Sequence, residues 1–268
     1  MLGKLIAAEW RGLWKPTVIL IAIMLVAGLA GTACFHGVDV ASGYYTSSSS
    51  FLTSATAGLL MASLFCGFLV WASLVALFVF LVVRFYRTMF TDEGYLTLTL
   101  PVSTLQLVGA KFLVAYCVLL VGAVLALVLV SLMMATVSSG ELSFTWIVAL
   151  AGGMVGLMDL SEFGSTVGGC VNVVIMTGFN LGLAFAALSV GAWWARRHKV
   201  AAAVGVYLGA SWLLSLVFSS VDFAVILGSY NSVLLSALAI VRMIAYAGAA
   251  VGCFFLAVYV VKRKVDLS

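Results

Sequence analysis

Charged residues are scarce in this chain: they make up 8% of its 268 residues, whereas soluble domains carry about 25%. Proline and histidine occur only twice each. Hydrophobic residues account for 65% of the chain and come in long uninterrupted runs, without the alternating segments of about ten residues that a membrane β-barrel requires. The composition therefore excludes a soluble domain and predicts an all-α membrane protein.

The motifs of nucleotide-binding proteins and of common hydrolases are also absent from the sequence. No Gly-rich phosphate loop ends in Lys-Ser or Lys-Thr, and there is neither a His-Glu-x-x-His motif nor a nucleophile elbow. No cysteine pair has the spacing of metal ligands, and His36 and His198 are predicted to lie on opposite sides of the membrane. We therefore expect this chain to have no catalytic residues and to bind no cofactor or metal itself. The net charge of +4 does not indicate nucleic-acid binding, because the positive charges flank apolar segments.

Six apolar segments are each long enough to cross about 30 Å of hydrocarbon. All 13 Lys and Arg residues except Arg242 fall on one side of the resulting topology, whereas the other side carries acidic residues only. The positive-inside rule then places both termini in the cytoplasm. The predicted transmembrane helices are residues 17–35, 57–83, 107–136, 170–195, 200–221 and 237–261.

Residues 1–16 have the pattern of an amphipathic helix that lies at the membrane surface. Leucine, isoleucine and tryptophan side chains form one broad face, and the basic residues cluster on the other. Pro16 is predicted to end this helix before the first span. Glu9 lies at the edge of the apolar face, where it is either a solvated residue or forms a salt bridge to a partner or to the cytoplasmic loop between the second and third spans.

Two longer segments are predicted on the outer side of the membrane. Residues 36–56 contain a serine tract typical of a flexible linker, and residues 137–169 contain an apolar stretch, 146–158, that is too short to cross. Cys34 and Cys170 both lie near this side, where they can form a disulfide or remain free thiols.

The polar segment 84–106 separates the second and third spans and is predicted to be cytoplasmic. The second span continues as helix through residues 84–90, and Thr91 can cap a short helix that begins with Asp92 and Glu93. Pro101 ends this element, and Ser103 with Gln106 matches a capping box that opens the third span. The segment is interpreted either as a docking surface for a partner protein or as an ordinary solvated loop.

Few polar residues lie inside the predicted spans. Asn172, Thr177 and Asn180 fall in the fourth span, where they can line a substrate path or form hydrogen bonds between helices. Arg242 in the sixth span can pair with Asp222, bind an anionic substrate, or extend to the membrane surface. Small residues recur at four-residue spacing and favour close helix packing, either within the bundle or at a dimer face. They are Gly178 and Gly182, then Ala201, Gly205 and Gly209, and finally Gly248 and Gly252.

Three stretches carry a resemblance to a known family. They are residues 90–103 (Phe-Thr-Asp-Glu-Gly-Tyr-Leu-Thr-Leu-Thr-Leu-Pro-Val-Ser) followed by Gln106 and Lys111, residues 187–199, and residues 259–267. Together with the predicted topology, they resemble the permease subunits of type-2 exporters of the ATP-binding cassette transporter superfamily, most of all those of Gram-positive bacteria. The resemblance covers essentially the whole chain. One difference is that the outer segment 222–236 is shorter than in many members of that class.

The resemblance implies an exporter subunit in a bacterial plasma membrane, with an amphipathic helix before the first span. A coupling helix between spans two and three would contact separate ATP-binding subunits, which would hold the ATP and Mg²⁺ and perform the hydrolysis. Two such permease subunits pair, and the second is either an identical copy or a different chain. The residues expected to form the coupling contact are Asp92, Glu93, Gly94, Tyr95, Leu98 and Pro101, and the candidates for the translocation path are Asn172, Thr177, Asn180 and Arg242.

The apolar spans favour an apolar or amphipathic cargo, such as a drug, peptide or lipid. A different function is also compatible with the sequence: a membrane anchor or sensor that does not transport, with the cytoplasmic segment binding a regulator.

Overall fold

The computed structural model describes residues 2–44, 50–90, 104–137, 162–194, 199–228 and 232–264, and all of these residues are α-helical. Residues 1, 45–49, 91–103, 138–161, 195–198, 229–231 and 265–268 lie outside the described part. The described helices are α1 (Leu2–Tyr44), α2 (Ser50–Phe90), α3 (Thr104–Val137), α4 (Glu162–Trp194), α5 (Lys199–Gly228) and α6 (Ser232–Lys264).

Five of the described helices contain segments long and apolar enough to cross a membrane. In α5 the corresponding described segment, Ala201–Val217, is shorter. The prediction of an all-α membrane protein is confirmed at this level, while a sixth crossing and the orientation in the membrane stay predictions. The five segments are Leu5–Val38, Thr56–Phe90, Thr104–Met133, Gly169–Trp194 and Ile240–Lys262.

The described helices alternate in direction along the bundle. One buried cluster contains residues from the start of α1, α3 and α5 and from the end of α2, α4 and α6. We call this the basic end of the bundle, because Arg11, Lys15, Arg84, Arg87, Lys111 and Lys262 belong to the same helix ends. The helix residues that define this cluster include Leu13, Phe85, Val108, Leu188, Ala203 and Val261.

Helix α1 packs against α2 and α3, and α4 packs against α5 and α6, while α2 and α3 join these two groups by contacting α4. Aromatic rings form part of this junction. Phe85 of α2 stacks on Phe185 of α4 with ring centroids 3.8 Å apart, and Phe112 of α3 meets Phe185 edge-on at 5.8 Å. The edge-on pair is a favourable ring geometry, and both contacts bury ring surface, so they help to hold the two groups of helices in one bundle.

The predicted break at Pro16 is wrong: α1 runs without interruption from Leu2 to Tyr44, with Pro16 inside it. Residues 2–16 are thus the beginning of a long helix and do not form a separate one. A proline removes the backbone donor for the carbonyl four residues earlier, which here is Gly12. Helices within a bundle tolerate this loss where a neighbouring helix supplies another donor, and Gly12 has such a donor on α2, as described below.

The N-terminal part of α1 also uses its apolar face differently from the prediction. Ile6 and Leu13 pack against the core at the basic end, whereas Trp10 and Trp14 are exposed. Part of the face predicted to contact lipid is therefore buried against α2 and α3, because the continuous helix stays beside the bundle.

The predicted loops between the spans are shorter than expected. Helix α1 continues to Tyr44 and α2 begins at Ser50, so most of the predicted outer loop 36–56 is helical. Helix α4 begins at Glu162, within the predicted outer loop 137–169, and the apolar stretch 146–158 lies outside the described residues. Helix propagation adds one hydrogen bond per residue fixed, and residues 36–44 contain no proline to stop it. The predicted continuation of α2 through residues 84–90 is confirmed.

Candidate functional site

The residues expected to form the coupling contact all fall in segment 91–103. Asp92, Glu93, Gly94, Tyr95, Leu98 and Pro101 therefore lie outside the described residues, and their role stays a prediction. The structure describes the two helix ends that flank the segment: α2 ends at Phe90 and α3 begins at Thr104. Both ends belong to the basic end of the bundle, where they pack against the start of α1.

The candidates for the translocation path have different environments. Asn172 and Thr177 are buried, at 3% and 8% exposure, whereas Asn180 is exposed and donates its Nδ2 to the carbonyl of Met176 at 2.9 Å. Arg242 is partly exposed on α6. The role of these four residues in transport stays a prediction, and none of them lines the groove described next.

An apolar groove lies between α3, α4 and α6 and has a volume of about 560 Å³. Ligand pockets commonly measure about 300–1,000 Å³, so the groove has the size of a small-molecule site. Its wall on α3 extends from Leu105 to Tyr116, which spans roughly 16 Å along a helix. Exposed lining residues such as Leu113 and Val251 show that the groove opens to the outside of this single chain.

Small residues and one tyrosine shape this groove. The hydroxyl of Tyr116 on α3 donates a hydrogen bond to the carbonyl of Val174 on α4 at 3.0 Å. The ring lies against Gly178, where an added Cβ would approach it to 3.3 Å. Gly109 leaves similar room beside Phe254. The groove exists because glycines stand where larger side chains would fill the space between the helices.

The small-residue pattern has two outcomes in the described helices. Gly182 of α4 approaches the backbone carbonyl of Ala250 on α6, with a Cβ distance of 3.2 Å, so its role is packing inside the bundle. By contrast, a Cβ at Gly205, Gly209 or Gly248 would have no neighbour within 4 Å, and the same holds for Gly252. Packing within the chain therefore accounts for the glycines of α4 and does not account for those of α5 and α6.

An ion cluster ties α1 to α2 and α3 at the basic end. Lys111 of α3 donates its Nζ to Oε1 of Glu9, and Nη2 of Arg84 on α2 lies 3.7 Å from Oε2 of the same carboxylate. Lys111 is buried, at 7% exposure. A buried ammonium needs a counter-charge, and Glu9 provides it. We call Glu9, Arg84 and Lys111 the Glu9 cluster.

Arg84 makes a second contact with α1. Its Nη1 donates a hydrogen bond to the backbone carbonyl of Gly12 at 2.7 Å. Gly12 leaves space for the guanidinium, since a Cβ at this position would overlap with it and lie 3.2 Å from its Cζ. One guanidinium thus contacts two positions of α1 that are three residues apart on the face toward α2.

Of the interpretations of Glu9, the salt bridge within this chain is confirmed: its partners are Arg84, at the start of the predicted cytoplasmic segment, and Lys111 of α3. The sequence carried a signal for it. Glu9 is the only acidic residue among the first 38 residues, and helical spacing places it on the same face as Ile6 and Leu13. A lone carboxylate on a face that becomes buried requires a cation nearby.

The described residues show neither a disulfide between Cys34 and Cys170 nor a group of metal ligands. Cys34 and Cys170 are free cysteines. Among the described residues, no three His, Cys, Asp or Glu side chains form a group that could hold a metal ion.

Comparisons with known proteins do not identify a relative: no family model, no curated protein and no solved structure matches the chain.

Proposed function

We propose that this chain is the membrane-spanning subunit of an ATP-driven exporter in a bacterial plasma membrane. In this proposal it crosses the membrane six times with both termini in the cytoplasm, and it pairs with a second permease subunit. Separate ATP-binding subunits bind ATP and Mg²⁺ and contact segment 91–103 through Asp92, Glu93, Gly94, Tyr95, Leu98 and Pro101. Asn172, Thr177, Asn180 and Arg242 are proposed to contribute to the translocation path.

The observation that supports this proposal most directly is the position of segment 91–103 in the fold. It connects the basic ends of α2 and α3, and both helices are longer than a bilayer requires. Helix α2 has 41 residues and a length of about 60 Å, roughly twice the hydrocarbon thickness. A partner that pushes on segment 91–103 would therefore act directly on two helices that reach into the membrane region.

The apolar groove supports the proposed class of cargo. Its walls are formed almost entirely by aliphatic and aromatic side chains, with Gln106 at one end as a polar group. An apolar or amphipathic molecule matches such walls, because burying a polar molecule there would leave its hydrogen-bonding groups without partners. The groove favours hydrophobic drugs, lipids or apolar peptides over sugars and ions.

Copurification tests the exporter proposal. Any ATP-binding cassette protein encoded in the neighbouring genes is co-expressed with the chain, which is purified in detergent in the native form and as the variant Glu93→Arg/Tyr95→Ala. We expect the native chain to retain the ATPase and the variant to lose it at equal expression. Glu141→Arg is the control, because it reverses a charge on the side predicted to be extracellular and should retain the ATPase.

Two outcomes would contradict the proposal. If the native chain retains no ATP-binding protein, the alternative function as a membrane anchor or sensor would replace it. If both the native chain and the double variant retain the ATPase equally, the contact would not involve segment 91–103.

A further inference from the structure

Pro16 creates a local defect in α1. Its ring nitrogen carries no hydrogen, so the carbonyl of Gly12, four residues earlier, loses its helical donor. Proline inside a helix usually kinks it, yet α1 continues through Pro16 to Tyr44. The carbonyl of Gly12 is the one that Arg84 reaches with Nη1 at 2.7 Å. The guanidinium of α2 therefore occupies the position of the donor that proline removes from α1.

Three features hold the guanidinium in that position. Glu9 lies 3.7 Å from Nη2 of Arg84, and it is itself fixed by Lys111. Gly12 has no side chain to displace the guanidinium. A hydrogen bond from a charged donor is stronger than one from a neutral amide, so this contact can replace the missing one. The arrangement depends on Arg84, since in the described part of the chain it is the residue that contacts both Glu9 and Gly12.

We propose that Pro16 is a hinge in α1 and that Arg84 holds it closed. While the guanidinium donates to Gly12, residues 2–15 stay helical with the rest of α1 and remain beside α2 and α3. When it withdraws, the Gly12 carbonyl, which lies at an exposed position, keeps only solvent as a donor, and α1 is free to bend at Pro16. Arg84 lies six residues before the end of α2 at Phe90, so a displacement of that end moves the guanidinium directly.

This device does not depend on the exporter function, because it involves only α1 and the residues of α2 and α3 that contact it. It assigns Arg84 a positioning role, since the residue controls the direction of the N-terminal part of α1 relative to the rest of the helix.

A distance measurement along α1 tests the hinge. Spin labels are attached to cysteines at Ala7 and Leu29, which are exposed on either side of Pro16, in a full-length chain whose five native cysteines are replaced. Positions 22 residues apart are about 33 Å apart in a straight helix, a distance that pulsed electron–electron double resonance can measure. We expect one narrow distance distribution for the unchanged hinge.

Two substitutions then separate the hinge from general loss of stability. Arg84→Met keeps an apolar stem and removes the donors, so we expect the distribution to broaden and shift to shorter distances. Pro16→Ala in the same chain restores an N–H for Gly12, so we expect the narrow distribution to return. Arg11→Met is the matched control, because it removes an exposed guanidinium next to Gly12 in α1 and leaves the contact of Arg84 with Gly12 in place, so it should leave the distribution narrow.

The proposal is overturned if Arg84→Met leaves the distribution unchanged, or if Pro16→Ala does not restore it. Should Arg84→Met alone fail to give monodisperse protein, recovery of folded protein is compared for the double variant Pro16→Ala/Arg84→Met. Recovery would support the hinge, and no recovery would refute it. Pro16→Ala combined with Gly191→Ala controls for a general stabilising effect of the alanine. Gly191 packs against Ala203, away from the contact of Arg84 with α1, so Pro16→Ala should not rescue that variant.

Discussion

Replacing Glu9 with glutamine should destabilise the protein more than any other single change in the Glu9 cluster. The substitution keeps the size of the side chain and removes the charge that faces Lys111, which is 7% exposed. Removing one partner of a buried ion pair costs about 3–5 kcal/mol, because the other charge is left buried without compensation. The Glu9 side chain is 21% exposed, so we expect a cost near the lower limit, about 3 kcal/mol.

Replacing the other partner, Lys111, should lower the free energy of unfolding by less. Lys111→Met removes the buried cation and leaves an apolar side chain of similar length, while Glu9 keeps Arg84 at 3.7 Å. That remaining pair is partly exposed and contributes at most about 1 kcal/mol. We therefore expect Lys111→Met to cost about 1 kcal/mol, and Glu9→Gln/Lys111→Met to be more stable than Glu9→Gln alone by about 2 kcal/mol.

The assay is reversible unfolding in mixed micelles of a mild detergent and increasing dodecyl sulfate, followed by helical circular dichroism. Arg11→Gln is the control, because this exposed residue lies on the same part of α1 and should change the free energy of unfolding by less than about 0.5 kcal/mol. The reasoning would be refuted if the double variant were as unstable as the sum of the two single variants. Additivity would mean that Glu9 and Lys111 stabilise the protein independently and not as a pair.

Two further predictions concern the glycines and the groove. Gly191→Ala should destabilise the protein by about 3 kcal/mol in the same unfolding assay, because the new Cβ would lie 2.5 Å from the backbone nitrogen of Ala203. Gly205→Ala is the control: its Cβ would have no neighbour within 4 Å, so the free energy of unfolding should not change. Ala247→Trp should fill the apolar groove and weaken binding of a hydrophobic fluorescent probe by about tenfold, measured by titration of the purified protein. Gly248→Trp, which faces open space, should leave the binding unchanged. Equal binding by both variants would mean that the probe binds outside the groove.

The helical architecture could be predicted from the sequence because it follows from composition. In a membrane the backbone is satisfied only in α-helices or in closed β-barrels, and long uninterrupted apolar runs lack the alternation that a barrel requires. The basic residues at alternating helix ends also indicated the antiparallel order, and the described helix ends carry them together. Helix bounds were less predictable: the sequence suggested loops over residues 36–56 and 137–169, but α1 and α2 extend into the first of these and α4 into the second.

The course of α1 through Pro16 could not be predicted, because it depends on a residue far away in the sequence. A local rule correctly states that proline removes a donor and therefore favours a helix end. The compensating donor is Arg84, 72 residues along the chain, and its contact with Gly12 exists only after α2 has packed against α1. No spacing within residues 2–16 contains that information.

The groove could not be predicted from the sequence, although the spacing of its glycines is a recognisable pattern. The four-residue spacing of Gly178 and Gly182 predicts helix packing for both. In the structure the two glycines differ: Gly182 brings α4 close to α6, while Gly178 accommodates the ring of Tyr116. Spacing identifies the face on which a glycine lies, but whether that face closes or leaves a groove depends on the side chain opposite.

The position of the charges links these observations. In a chain with so few charged residues, Glu9, Arg84 and Lys111 are brought together on the three helix ends that surround the start and end of segment 91–103. An ion cluster often contributes less to stability than apolar packing of the same volume. What the Glu9 cluster adds here is a reversible contact between α1 and α2. A guanidinium can release a carbonyl and bind it again, whereas a packed apolar side chain or a backbone N–H would fix α1 permanently. The pairing of Pro16 with Arg84 therefore gives α1 a joint that the end of α2 can control, and the distance between labels on either side of Pro16 measures directly whether that joint opens.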